Sequence, residues 1–231
     1  MAFIKLNYDW DWPGAESEFK RAIQLNPNYD NAHHWYSHYL LAVGRTEESL
    51  VESRRALELD RVGLVINLHL GWHYLFARQY DLAIDQFQRT LEMDRGYGLA
   101  HWYLGQAYGR KAMYREALAE LNKATDLRKQ NVGVKAEIGH IHAISGKKGA
   151  AQKVIKELTQ LSDRKYVSSY HVALVHTGLG ETDRAFECLE NACKERSDSL
   201  VYLKIDPRLD DLRTDPRFSN LLQRIGLDSA N

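Results

Sequence analysis

Proline is scarce, at 4 of 231 residues, and glycine is limited to 15, so collagen-like and low-complexity architectures are excluded. Apolar runs are short. None approaches the roughly 20 residues that a membrane-spanning helix needs. The opening stretch, Met1 to Trp12, has one lysine and a broken apolar pattern in place of a basic segment followed by a clean apolar one, so no secretory signal is visible and a cytoplasmic location is expected. An excess of either charge is also missing. Lys plus Arg and Asp plus Glu are 31 each, which removes the long-range attraction that would argue for nucleic acid or an anionic membrane. The balance is uneven along the chain, since Arg110 to Lys165 carries 13 basic and 6 acidic residues, but the lysines there are expected on a solvated convex side. Only two cysteines occur. Cys188 and Cys193 are five apart, which on a helix separates their side chains by roughly 140° and makes a mutual disulfide implausible, so both are expected as reduced thiols.

What the chain does have is 44% hydrophobic residues, enough for a substantial core, and a register of 34 residues that recurs without insertion. With units opening at Asp30, Leu64, Gly98, Val132 and Tyr166, the eighth position is Ser37, Gly71, Gly105, Gly139 and Ala173, always small. The twentieth is Ala15, Ser49, Ala83, Ala117, Ala151 and Ala185, the first belonging to a unit whose opening precedes Met1. Each unit reads as two apolar-periodic helices separated near position 15, where Gly44, Gly146 and Gly180 suit a helix C-cap. Large residues beside the small ones, such as Leu104 and Tyr108 around Gly105, predict closely packed antiparallel hairpins.

These residues resemble the tetratricopeptide repeat (TPR) family, most closely in Leu70-Gly71, Tyr74, Ala83 and Phe87 and in Leu104-Gly105, Tyr108, Ala117, Leu121 and Ala124. Position 4, commonly Trp in that family, is instead His33, Asn67, His101, Lys135 and Ser169. The resemblance implies an all-α fold, a right-handed superhelix of antiparallel hairpins. Residues 1–29 would be a partial unit, 30–197 five units, and 198–231 a capping segment. In that segment Asp206-Pro207 and Asp215-Pro216 both read as helix starts. The run from Val201 to Leu227, with Asp9 to Ala15, is similar to the C-terminal repeat arm of bacterial signalling proteins, in which it follows a DNA-binding, cyclase or kinase domain. The partial first unit suggests a fragment of a longer protein or self-association through that end.

In such a superhelix the first helices line a concave wall. The expected peptide-binding residues on it are His34, His38, Trp72, Phe76, Trp102, Gln106, Arg110, His140 and Tyr170, an aromatic and histidine-rich surface suited to anchoring a peptide or protein ligand. The lysine and asparagine pair of the family's carboxylate clamp is absent, since His34 and His38 stand in those places. No catalysis and no cofactor are expected, for want of a phosphate loop, a nucleophile elbow or an acid pair. Two i, i+4 histidine pairs, His34 with His38 and His69 with His73, leave a metal-binding protein as an alternative. The other alternative is a regulatory arm of a larger signalling protein.

Overall fold

The computed structural model describes residues 1–128 and 131–227. Helices α1 (Ala2–Ile4), α2 (Trp12–Leu25), α3 (Asp30–Ala42), α4 (Thr46–Leu59), α5 (Leu64–Phe76) and α6 (Tyr80–Met93) come first. They are followed by α7 (Gly98–Arg110), α8 (Tyr114–Leu127), α9 (Val132–Ile144), α10 (Lys148–Ser162), α11 (Ser169–Leu179) and α12 (Thr182–Lys194). Two 3-10 segments, Asp198–Tyr202 and Pro207–Leu212, lead to α13 (Pro216–Arg224). Among the described residues there is no strand, and none of their helices is long and apolar enough to cross a membrane. The fold is an all-α, TPR-like hairpin solenoid with capping helices.

Two compact units divide the chain. The first holds Met1–Arg95 with Val201–Pro207 and the stretch from Leu222, and the second holds Gly96–Leu200 with Arg208–Leu221. In the first, α3 packs on α4 and α5 on α6; in the second, α7 packs on α8, α9 on α10 and α11 on α12.

Small side chains make these hairpins tight. Ala83, Ala117, Ala151 and Ala185 are fully buried on the second helices, and a methyl group added at Gly71 would lie 2.7 Å from the Phe87 ring. Glycine at Gly71 therefore admits a ring that itself contributes roughly 1.5–3 kcal/mol by burial. Where serine replaces the small pair, its hydroxyl is satisfied internally: Ser49 Oγ donates to the Ser37 carbonyl at 2.8 Å.

Position 15 adopts the left-handed conformation in every hairpin. The φ angles are +89° at Gly44, +79° at Gly146 and +72° at Gly180, but also +61° at Arg78 and +58° at Ala112. The turn geometry is thus imposed by hairpin packing even where a Cβ opposes it.

A polar link joins positions 4 and 23. His33 Nδ1 lies 2.5 Å from Glu52 Oε2, Gln86 Nε2 donates to Asn67 Oδ1 at 3.0 Å, and His101 Nδ1 lies 2.5 Å from Glu120 Oε2. These pairs occupy the place of the family's tryptophan. Of the two expected helix starts near the C-terminus, Asp215 accepts from the Arg217 amide at 2.9 Å and opens α13, whereas Asp206 precedes only a 3-10 turn. Both cysteines are free. Burial, then Glu187 and Glu195, push the Cys188 thiol up to about 11, so it stays protonated at neutral pH.

Candidate functional site: the first-helix wall

In the first unit the wall is an aromatic cluster built from i, i+4 pairs on α3 and α5. The Trp72 ring lies 4.3 Å from Phe76 and 5.1 Å from His38. Tyr202, from the segment Val201–Pro207, meets Trp72 edge-on at 4.8 Å with the planes 77° apart, and lies 6.1 Å from Phe76. Its hydroxyl is 3.3 Å from His38 Nδ1. The same segment brings Lys204 against Gly44. These residues are expected on the wall, either open to a ligand or packed between neighbouring first helices, and in the structure His34, His38 and Phe76 are buried and Trp72 is only 6% exposed. The physical reason is the burial of apolar surface. A wall this apolar gains by shedding water, and the chain supplies Tyr202 to do so.

In the second unit the expected wall residues bond to one another. Arg110 Nη2 donates to His140 Nε2 at 2.7 Å, while His140 Nδ1 donates to the Leu174 carbonyl at 2.8 Å, which fixes the tautomer and ties α7, α9 and α11 together. Gln106, His140 and Tyr170 are buried, and Trp102 is half-buried. A methyl group at Gly133 would fall 2.4 Å from the Trp102 ring, so α9 is read closely by that indole. Glu137, 1% exposed, accepts from Arg208 Nη1 at 2.7 Å, a buried ion pair within this unit.

Histidines converge on one point of the first unit. His34 Nε2 and His38 Nε2, both on α3, lie 3.1 and 3.0 Å from His69 Nδ1 on α5. The three candidate ligand atoms are all within 4.8 Å of one another. Burial drives His34 down to about 4, with Asp30 pulling slightly the other way. Burial and then His34 take His69 to about 3, and burial followed by its histidine neighbours holds His38 and His73 well below the usual imidazole range. All four are neutral at pH 7.

One open surface lies at the start of the chain. A cavity of about 470 Å³ is lined by residues including Phe3, Phe19, Tyr29 and Trp35. Phe3 stands edge-on to Trp35 at 5.0 Å and remains partly exposed.

Two features escaped the sequence reading. The partners Glu52, Gln86 and Glu120 stand at a constant offset of 19 from His33, Asn67 and His101, a spacing present in the sequence. Tyr202 carried no comparable signal, because its contact depends on a return of the chain over more than a hundred residues.

A tetratricopeptide repeat profile matches residues 100–131. Human Tetratricopeptide repeat protein 13 is 24% identical over 107 residues, 46% of this chain and 12% of that protein. Anaphase-promoting complex subunit 3 of Schizosaccharomyces pombe is 23% identical over 143 residues, 62% of this chain and 22% of that protein. The chain therefore matches less than a quarter of the length of either curated relative. Among solved structures, that of PilW, a widely conserved type IV pilus biogenesis factor, matches with a TM-score of 0.63 at 16% identity, covering 91% of this chain and 94% of that one. The class that the hairpins define, the TPR-like helical array, is the class of these proteins.

Proposed function

We propose that this chain is a protein- or peptide-binding scaffold module with no catalytic step of its own, and that its first-helix wall is the recognition surface. The observation that carries the reading is Tyr202, which sits on Trp72, Phe76 and His38 in the manner of an aromatic anchor from a bound peptide. The wall is then a binding surface held by the chain's own segment, and an external ligand competes with it. Tethered, that segment acts at an effective concentration in the millimolar range, so weak external peptides are excluded while strong ones displace it. In the second unit Trp102, Gln106, Arg110, His140 and Tyr170 form the corresponding surface, with Arg110 as its cation.

The test is a fluorescence-anisotropy titration of a labelled peptide spanning Asp198 to Arg208 against the wild-type chain and Tyr202→Ala. The variant, its own anchor gone, should bind the peptide at least about tenfold more tightly than wild type, consistent with the roughly 1.4 kcal/mol per decade of affinity. A peptide with alanine at the tyrosine should bind neither. Equal binding of both peptides, or none by a folded Tyr202→Ala chain, refutes recognition at the wall.

A further inference from the structure

We propose that His34, His38 and His69 form a binding site for a divalent transition-metal ion of the zinc class, with His73 as the adjoining fourth imidazole. Three independent features of the first unit carry this.

The first is spacing. Four ligands at about 2.0–2.1 Å from a tetrahedral zinc are roughly 3.3 Å apart along each edge. The distances from His69 Nδ1 to His34 Nε2 and His38 Nε2, 3.1 and 3.0 Å, are within a few tenths of an ångström of that edge, and all three ligand atoms lie within 4.8 Å of one another, so only the last separation has to shorten to close the site. Helical geometry makes the arrangement stiff, since His34 and His38 are one turn apart on α3 and His69 reaches them from the adjacent α5.

The second is hydrogen-bond arithmetic. A neutral imidazole has one N–H and one lone pair, so a single nitrogen facing two others satisfies one well and leaves the third poorly served. A cation accepting three lone pairs satisfies all of them. His73 sharpens the point. It is fully buried, neither of its ring nitrogens has a partner, and its ring lies 4.7 Å from that of His38. Leaving such nitrogens dry and unpaired is costly in a folded protein, and it makes the surroundings of the cluster unusually rich in unsatisfied imidazole donors.

The third is the chemistry of the donors. All are imidazoles and none is a carboxylate, which favours zinc, copper, nickel or cobalt and disfavours magnesium and calcium. Tyr202 Oη, 3.3 Å from His38 Nδ1, is placed to accept from that nitrogen and hold the ring while Nε2 binds. A metal here would pin α3 to α5.

The experiment uses the full chain stripped with a chelator and then titrated with Zn²⁺ by calorimetry, with Co²⁺ as an optical probe of coordination. Wild type should take up one equivalent at micromolar affinity or better, and Co²⁺ should give the intense visible bands of a tetrahedral site. His38→Gln and His69→Gln should each weaken binding by at least about tenfold, while His142→Gln, outside the cluster, should not. No stoichiometric uptake, an octahedral Co²⁺ spectrum, or equal affinity in the His38→Gln and His142→Gln chains would overturn the proposal. Should the cluster variants fail to fold, the wild-type Co²⁺ spectrum and stoichiometry decide it alone.

Discussion

Gly105 on α7 offers a test in which two opposing effects have known sizes. Replacing it with alanine removes the conformational penalty of a helical glycine, a gain of roughly 0.8–1.0 kcal/mol. The new methyl group, however, would stand 2.7 Å from Leu121 Cγ and 3.1 Å from the Ala117 carbonyl oxygen. Neither neighbour can yield cheaply, because Leu121 is fully buried and its Cγ is a branch point, while the carbonyl belongs to the α8 backbone. Overpacking of this kind costs about 1–3 kcal/mol, so the net effect of Gly105→Ala is a loss of about 1 kcal/mol, and Gly105→Leu loses more. Gly149→Ala on α10 is the calibrant, since nothing lies within 4 Å of the added carbon and only the gain remains. Urea unfolding followed by circular dichroism measures both, and a thermal scan should show a fall of about 2–4 °C for Gly105→Ala. If Gly105→Ala is as stable as wild type while Gly149→Ala is stabilised, the tight α7–α8 contact is not what selects glycine there.

Two further outcomes follow from the turns and the surface charges. Ala112→Gly should stabilise the chain by about 0.5–1 kcal/mol, because a left-handed alanine costs about 1–2 kcal/mol and part of that is offset by the greater unfolded-state freedom of glycine; a lower urea midpoint would refute it. Burial would raise Glu16, but hydrogen bonds from Lys20 and Arg45 outweigh that and hold its carboxyl below the ordinary value of 4.5. Its contribution is therefore present above pH 4.5 and lost as pH falls through the depressed folded value, so Glu16→Gln should be less stable than wild type by up to about 1 kcal/mol at pH 7 and should converge with it in acid. A gap that is constant with pH would contradict this.

The hairpin architecture was legible because its causes are local and periodic. Small residues at Gly71, Gly105 and Ala117 recur at fixed offsets, and a 34-residue period leaves few ways to pack two helices per unit. The left-handed turns at Arg78 and Ala112 were not legible, since the residue types there oppose the conformation that packing enforces. The state of the wall was hidden for a different reason. Periodicity assigns His38, Trp72 and Phe76 to one face, but what covers that face is Tyr202, a long-range contact that no helical pattern encodes. His34, His38 and His69 were visible as spacings on separate helices, and only the approach of α5 to α3 made them a cluster.

The linked pairs at positions 4 and 23 bear on how a repetitive chain avoids confusing its own parts. Because His33 with Glu52, Asn67 with Gln86 and His101 with Glu120 are not all of one kind, α5 paired with α4 would bring an amide against a carboxylate, and α3 paired with α6 an imidazole against an amide. Adjacent hairpins thereby carry different polar pairs, so a helix exchanged with its neighbour's look-alike would form a hydrogen bond of another kind and reach from the native one.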